Sequence, residues 1–128
     1  MTIHIVRLGT DRAPDEGVRI GTVRRPPRGV RKSEYSSQNW YDVWLPSLSP
    51  TPPTMKSGQA AKTEDDWRVF FKKYRAEMST PENCRTLDLF AALSHQTNFS
   101  VGCYCADETH CHRSVLRTLL LERGAEVD

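Results

Sequence analysis

Phe-Ser-Val-Gly-Cys-Tyr-Cys (residues 99–105) and Cys-His-Arg-Ser-Val-Leu-Arg-Thr-Leu-Leu-Leu-Glu-Arg (residues 111–123) are the segments that decide the fold. The first is a short apolar run of the kind that forms a buried strand. The second has apolar residues at helical spacing and is followed by Gly124, the residue type preferred just beyond a helix end. An acidic turn, residues 106–110, separates the two segments. The sequence therefore predicts a strand, a turn and a helix at this end of the chain.

Two further helices are predicted upstream of this strand. Residues 64–78 carry large apolar side chains on one helical face, with Thr63 as the natural N-cap. Pro81 cannot continue that helix but suits the first turn of a new one, which runs to about Ser94. Helices before and after the strand favour a mostly parallel sheet. The apolar face of the first helix consists of Trp67, Phe70, Phe71, Tyr74 and Met78.

The first half of the chain supplies the remaining strands, which are predicted at residues 3–8, 18–23 and 41–45. Residues 10–17 fit either a hairpin loop or a crossover connection. Residues 47–59 contain three prolines and are predicted to be an exposed, partly extended loop. The fold class that follows is α/β, as a single three-layer domain with a mostly parallel sheet of about four strands flanked by helices. A chain of 128 residues fits one such domain over residues 1–128.

Composition limits the classes of protein that fit. With 38% hydrophobic and 27% charged residues, the chain has the composition of a globular protein. No apolar stretch approaches the roughly 18 residues of a membrane span, and the start of the chain reads as a strand without a signal-peptide cleavage site. We therefore expect a cytoplasmic protein with no membrane partner. In the cytoplasm its four cysteines should be reduced thiols, namely Cys84, Cys103, Cys105 and Cys111.

Positive charge is concentrated in one part of the chain. The net charge is only +2, but residues 19–32 contain six basic residues and no acid. Two prolines and a glycine exclude a regular element from residues 24–32, so this part is predicted to be a basic loop. Such a loop indicates binding of an anion or of nucleic acid. The six basic residues are Arg19, Arg24, Arg25, Arg28, Arg31 and Lys32.

Three loops are expected to meet at one edge of the sheet. Residues 24–32, 46–50 and 105–111 each follow a predicted strand. The carboxyl ends of parallel strands lie at the same edge, and ligands of open α/β sheets bind there. We therefore expect the functional site at this edge, provided that the first two strands do not pair as a hairpin.

Three motifs give the chain a resemblance to a known family. They are Gly-Thr-Val-Arg-Arg-Pro-Pro-Arg-Gly (21–29), Tyr-Asp-Val-Trp-Leu-Pro (41–46) and Gly-Cys-Tyr-Cys-Ala-Asp-Glu-Thr-His-Cys-His-Arg-Ser (102–114). The chain resembles the domain of unknown function 488 family, in its cysteine-containing Cys-His-Arg subgroup, and more distantly the YeaO-like branch. The resemblance implies a compact α/β fold and a bacterial cytosolic setting, and it implies no particular activity. Of the family's Val-Asp-Arg or Asp-Val-Arg stretch, this chain keeps only Arg24.

The start of the last helix is the predicted reactive site. Cys111 lies where free N–H groups and a partial positive charge lower a thiol pKa and hold an anion. We predict Cys111, His112 and Arg113 as catalytic residues. Cys111 is the expected thiolate, His112 or His110 the proton carrier or orienter, and Arg113 forms the anion clamp together with Arg24 and Arg28. We also expect Cys111 to be partly exposed and the most reactive thiol, with Cys103 and Cys105 shielded in the strand. The ligand-binding residues expected around them are Arg24, Arg28, Asp42 and His110.

The predicted function is therefore an enzyme or sensor that binds a small anionic or phosphate-containing ligand, without a cofactor. One alternative is a zinc site formed by Cys103, Cys105 and Cys111 with one of the two nearby histidines, because residues 103 and 105 share one face of a strand. Another alternative is a non-catalytic module that binds nucleic acid or a protein partner through residues 24–32, with aromatic residues nearby for stacking.

Overall fold

A single parallel sheet is the centre of the structure, and the computed structural model describes residues 1–128. Its strands are β1 (Ile3–Arg7), β2 (Val18–Gly21), β3 (Val43–Trp44) and β4 (Phe99–Cys103). The strand order is β1-β4-β2-β3, and every neighbouring pair is parallel. β4 has a neighbour on both sides and all five of its residues are buried, as expected for a central strand of a parallel sheet.

Four α-helices accompany the sheet, and their bounds are α1 (Pro52–Gln59), α2 (Glu64–Glu77), α3 (Pro81–Leu93) and α4 (His112–Glu122). The predicted N-cap of α2 is present, because the Thr63 side chain accepts a hydrogen bond from the Asp66 N–H in a capping box. Gly124 has a φ of +78° just beyond α4, a conformation that glycine adopts without strain. The prediction of a three-layer α/β fold with four strands and flanking helices is confirmed.

The first two strands do not form a hairpin. β4 lies between β1 and β2, and it pairs in parallel with both of them. The connection at residues 10–17 is therefore an irregular crossover. With this alternative removed, the carboxyl ends of β1, β2 and β4 lie side by side at one edge of the sheet.

The prediction of an exposed loop at residues 47–59 is wrong. A short 3-10 helix (Pro46–Leu48) and α1 occupy most of this segment, and Leu48 and Thr54 are buried. The prolines explain the difference, because Pro52 and Pro53 lie in the first turn of α1, where a missing N–H breaks no helical hydrogen bond. The prolines mark the start of a helix rather than an extended segment.

The strands are shorter than the sequence predicts. β2 ends at Gly21 rather than at residue 23, and β4 ends at Cys103 rather than at residue 105. Glycines lie at or next to both ends, namely Gly21 in β2 and Gly102 in β4. A Cβ at Gly21 would stand 2.4 Å from the Tyr41 ring, so only glycine allows that ring to lie against β2. Because β4 ends at Cys103, Cys105 belongs to the turn after β4 and not to the strand.

Two groups of apolar side chains form the interior. The larger one joins the sheet to α2, α3 and α4 and includes Val101, Tyr74 and Leu116. The smaller one lies at the carboxyl edge of the sheet, and its members are Leu8, Val23, Tyr41, Cys103 and Cys111. Two of the four cysteines are therefore part of a small apolar cluster next to the predicted site.

Arg19 is part of the interior and not of the basic surface. Its side chain is 0% exposed, and it forms an ion pair with the buried Glu16 through two hydrogen bonds of 2.7 and 2.9 Å. Nη1 also donates to the backbone carbonyls of Thr10 and Asn39. The basic segment that can act on a ligand therefore begins at Arg24.

None of the helices combines the length and the apolar character needed to cross a membrane.

Candidate functional site

Three cysteines gather at the carboxyl end of β4, and we call Cys103, Cys105 and Cys111 the thiol cluster. Cys103 is the last residue of β4, and Cys111 is the N-cap of α4, with an extended backbone. Their Sγ atoms are 2.9 Å apart and both residues are buried. Cys105 lies between them in the chain and is exposed. The turn between β4 and α4 therefore brings two buried thiols and one exposed thiol together.

Mutual hydrogen bonding separates the thiols by pKa. Hydrogen bonds with Cys105 and Cys111, followed by burial, raise the pKa of Cys103 far above its usual range. Hydrogen bonds with Cys103 and Cys111 lower the pKa of Cys105, against the effect of burial, and the positive charges of Arg113 and Arg7 lower it further. Cys103 therefore keeps its proton, and the 2.9 Å separation of its Sγ from the Cys111 Sγ lets it donate this proton in a hydrogen bond to Cys111.

His112 is a buried partner of Cys111. Its Nε2 is 2.9 Å from the Thr22 carbonyl oxygen and 3.2 Å from Thr22 Oγ1. Because a carbonyl oxygen only accepts, Nε2 carries a ring proton, and in the neutral imidazole it is then Nδ1 that has the lone pair. Nδ1 is 3.6 Å from the Cys111 Sγ, and hydrogen bonds with Cys103 and then His112 lower the pKa of Cys111 against its burial. His112 can therefore accept a proton from Cys111.

Arg113 supplies a buried positive charge to the thiol cluster. The residue is 3% exposed, and Nη2 donates a 2.7 Å hydrogen bond to the Cys105 carbonyl oxygen. Burial opposes its charge, yet the neighbouring Cys103 and Cys111 groups raise the pKa of Arg113. Its Nε is buried without any hydrogen-bond partner. A buried donor without a partner is costly, so this atom indicates a place where a ligand or solvent group can accept a hydrogen bond.

Two predictions about exposure are wrong. Cys111 was expected to be partly exposed, but it is only 2% exposed. Cys105 was expected to be shielded, but it is exposed. The reason is the early end of β4, which leaves Cys105 in the turn while Cys111 folds back against Cys103.

The basic loop meets the cysteine turn, as predicted, but its arginines have separate partners. Tyr104 Oη donates a 2.8 Å hydrogen bond to the Arg25 carbonyl oxygen, which joins the two loops. Arg24 donates to the carbonyl oxygens of Ser49 and Pro50. Arg28 is exposed and makes no side-chain hydrogen bond with the protein. Of the three predicted clamp arginines, only Arg113 contacts the thiol cluster.

His110 lies against α2 rather than against the thiols. Its ring stacks on Trp67 with centroids 4.6 Å apart and planes 7° apart. The ring nitrogens face carboxylates, with Nδ1 3.5 Å from Asp107 and Nε2 3.9 Å from Glu64. His112, and not His110, is therefore the histidine that the structure brings to the thiol cluster.

Asp42 lies at the opposite edge of the sheet from the thiol cluster. It immediately precedes β3, so it lies at the amino end of a strand that runs parallel to β2. Its carboxylate accepts hydrogen bonds from the Arg12 guanidinium at 2.7 and 3.0 Å, from the Arg19 N–H at 2.8 Å and from the Ser36 hydroxyl. Burial opposes ionisation, but these hydrogen bonds lower the pKa of Asp42 to about 2.

Asp42 predicts a loss of stability in acid. A carboxyl with a lower pKa in the folded state stabilises the protein above its unfolded pKa, and that contribution disappears as the pH falls through the folded value. We expect the free energy of unfolding to fall between about pH 4 and about pH 2, since the ordinary pKa of 3.8 is lowered to about 2. Urea unfolding followed by circular dichroism across this range measures the fall. Asp42→Asn should remove part of it, and identical pH profiles for the two proteins would exclude Asp42 as its source.

The structure also brings to the carboxyl edge of the sheet, next to the thiol cluster, several residues that the sequence did not identify. Thr22 holds His112, and the buried Tyr41 hydroxyl has no hydrogen-bond partner. A pocket of about 380 Å³ adjoins the thiol cluster, and its lining residues are Arg7, Leu8, Gly9, Thr10, Trp40 and Tyr104. The position of Arg7 and Leu8 near the end of the first predicted strand was the one available signal, because that end lies at the carboxyl edge.

A metal ion is the other group that these side chains could hold. The ligand atoms of Cys103, Cys111 and His112 all lie within 4.8 Å of one another, and the three residues are buried. Two thiolates and an imidazole are suitable zinc ligands, with a fourth position left for Cys105 or water.

The fold and the thiol cluster define a class of small α/β protein with a Cys-His-Arg turn at the carboxyl edge of a parallel sheet. The comparison with protein families agrees with this class. A model named DUF488-N3a and described as the active DUF488-N3 subclade matches residues 3–124, so the chain belongs to the DUF488 family. Neither a curated protein nor a solved structure matches the chain.

Proposed function

We propose that this protein is an enzyme or sensor that binds a small anionic ligand beside the thiol cluster and reacts with it through a thiolate. One observation carries the proposal: Arg113 is buried against the thiols, and its Nε has no hydrogen-bond partner. A buried guanidinium with a free donor is a site for an anion. The description of the family as an active subclade supports a catalytic role.

The first turn of α4 supports the binding of an anion at this position. The leading N–H groups of a helix have no partner within the helix and carry part of the positive end of the helix dipole. Arg113 lies in this first turn and its side chain reaches back to the Cys105 carbonyl oxygen. The free N–H groups, the helix dipole and the Arg113 charge therefore favour the same negatively charged group.

The cysteines of the thiol cluster and His112 have different roles in the proposed chemistry. Cys105 is the exposed thiol, and its lowered pKa makes it the thiolate that a ligand meets first. Cys111 and His112 form a buried proton-transfer pair, because Cys111 can give its proton to His112 Nδ1. In this proposal Cys111, His112 and Arg113 remain catalytic residues, but the solvent-facing thiolate is Cys105 rather than the buried Cys111.

Alkylation with limiting iodoacetamide across a pH series, read by peptide mass spectrometry, tests this assignment. We expect Cys105 to be labelled first, with an apparent pKa below the unperturbed value of about 8.5. Cys111 and Cys103 should be labelled slowly because they are buried. Arg113→Gln should raise the apparent pKa of Cys105, since the guanidinium charge helps to lower it.

Cys84→Ser is the matched control, because Cys84 lies on α3 and hydrogen-bonds to Met78 and Arg123 rather than to the thiol cluster. This variant should leave the labelling of Cys105 unchanged. A Cys105 that is labelled no faster than Cys84 at every pH would remove the thiolate proposal.

Zinc binding is a second candidate, and the hydrogen bonding of His112 favours it. Histidines that bind metals usually donate their other ring N–H to a carbonyl or carboxylate, and Nε2 of His112 does so to Thr22. A bound zinc ion would supply a Lewis acid or a structural cross-link at the cluster. If Cys103, Cys105 and Cys111 all resist alkylation until a chelator is added, the zinc site replaces the free thiolate.

Nucleic acid remains a proposed partner of the basic loop. Arg25, Arg28, Arg31 and Lys32 are exposed, and none of them forms an ion pair within the chain. Binding of a single-stranded oligonucleotide, measured at two salt concentrations, tests this alternative, because phosphate contacts weaken steeply with salt.

A further inference from the structure

We infer that the pocket beside the thiol cluster receives the ring of a nucleoside monophosphate, which makes nucleotides the ligand class of this site. The inference rests on the proposed function, since it names the kind of anion that meets the thiolate. The pocket has a volume of about 380 Å³. This lies in the lower part of the range of roughly 300 to 1,000 Å³ for small-molecule sites, which suits a single nucleotide.

The pocket lies directly beside the thiol cluster, because residues that line the pocket also contact the cluster. Leu8 lines the pocket and packs in the same apolar cluster as Cys103 and Cys111. Its backbone N–H also donates a 2.8 Å hydrogen bond to the Cys103 carbonyl oxygen. On the other side, Arg7 Nε donates a 3.2 Å hydrogen bond to the carbonyl oxygen of Tyr104, the residue that precedes Cys105. A ligand in the pocket therefore lies next to the proposed thiolate.

Two aromatic side chains form one side of the pocket. Trp40 and Tyr104 meet edge to face, with ring centroids 5.9 Å apart, and both are partly exposed. The Trp40 ring lies directly on the backbone of Gly9, where a Cβ would stand 2.8 Å from the ring and φ is +87°. Partly exposed aromatic faces that are fixed in this way are suitable for stacking with a nucleobase.

The charge of the pocket favours a phosphate. Arg7 uses only its Nε within the protein, donating to the Tyr104 carbonyl oxygen at 3.2 Å, and its two Nη groups make no hydrogen bond with the chain. A guanidinium with both terminal nitrogens free can bind a phosphate through two parallel hydrogen bonds. None of the six lining residues is acidic. An aromatic side, a free guanidinium and no carboxylate together select a ligand with a planar ring and a negative charge.

Isothermal titration of the full-length protein with adenosine, guanosine, cytidine and uridine 5′-monophosphate tests the inference, with inorganic phosphate as the reference ligand. We expect at least one nucleotide to bind more tightly than phosphate. Trp40→Leu should weaken that binding at least about fivefold, because a stacked aromatic side chain typically contributes at least this much. Arg7→Gln should weaken it as well, and Trp44→Leu, which changes a tryptophan outside the pocket, should leave it unchanged.

A second measurement needs no variant, so it stands even if a substitution disturbs the fold. The nucleotide that binds most tightly should slow the alkylation of Cys105 in the unmodified protein, and inorganic phosphate at the same concentration should slow it less. Nucleotides that bind no more tightly than phosphate, or that bind equally to the Trp40→Leu protein, would overturn the inference.

The proposed function is judged by a different result. If phosphate alone bound, and Arg113→Gln abolished that binding, the anion site would stand while the nucleotide pocket fell. If no ligand bound and Cys105 still showed a low apparent pKa, the inference would be overturned and the thiolate would remain. A Cys105 without enhanced reactivity would remove the proposed function itself.

Discussion

Replacement of Arg19 by methionine is expected to lower the free energy of unfolding by about 3 to 5 kcal/mol, the usual cost of removing one partner of a buried ion pair. The substitution leaves the Glu16 carboxylate, which is 3% exposed, without its positive partner. The hydrogen bond that Glu16 accepts from Ser100 at 2.7 Å cannot replace a guanidinium charge. Urea unfolding near neutral pH measures the loss.

The double variant Arg19→Met/Glu16→Gln is the control for this experiment. Because it removes both charges, it should recover part of the loss seen with Arg19→Met alone. The single variant should also gain stability as the pH is lowered toward the pKa of the unpaired carboxyl, whereas the unmodified protein should not. A double variant that is less stable than the single one would show that the hydrogen bonds of Arg19, and not its charge, set the cost.

Truncation of Phe70 to alanine is expected to lower the free energy of unfolding by about 3 to 5 kcal/mol, as for other buried aromatic residues. Phe70 lies on the apolar face of α2 and is 3% exposed. Its ring fills the space beside Gly58 of α1, where a Cβ would stand 2.7 Å from it, so the truncation leaves a cavity between two helices. Thermal and urea unfolding measure the effect.

Val69→Ala is the matched control, since Val69 neighbours Phe70 on the same helix but is 50% exposed. Its cost should stay within about 0.5 kcal/mol, as is usual for a surface substitution. Equal effects of the two truncations would mean that the face of α2 that carries Phe70 does not contribute to the core.

The helices and the edge that carries the site could be predicted from sequence because both follow from local patterns. Apolar spacing and caps such as Thr63 place α2, and a strand between two helices implies a parallel sheet. Parallel strands then bring their carboxyl ends together without further information. For this reason the meeting of the basic loop and the cysteine turn was predictable, and so was the presence of Cys111 at the start of α4.

The exposures of the cysteines were not predictable, because they depend on where β4 ends. A difference of two residues in the end of the strand moves Cys105 from the interior to the surface. The burial of Cys111 depends on its contact with Cys103, which is eight residues away in the chain. No local pattern encodes either of these quantities.

Arg19 shows a different limit of sequence patterns. In the sequence it is one of a run of basic residues, and its partners are not visible as a motif. Glu16 is three residues away, but the carbonyl oxygens of Thr10 and Asn39 approach Arg19 only after the strands have assembled. A charged residue with backbone partners from two different loops can be recognised as buried only from the folded structure.

The same Arg19 contacts also hold the backbone around the pocket proposed to bind a nucleotide. Thr10 lines the pocket and Asn39 precedes Trp40, so the Arg19 guanidinium holds the backbone on both sides of the opening. The Asn39 carbonyl oxygen also accepts from the Gly9 N–H at 2.8 Å. Walls tied in this way are preorganised, and a preorganised site loses little conformational entropy when it binds. Binding should therefore follow single-step kinetics, with the Trp40 ring already in place before the ligand arrives.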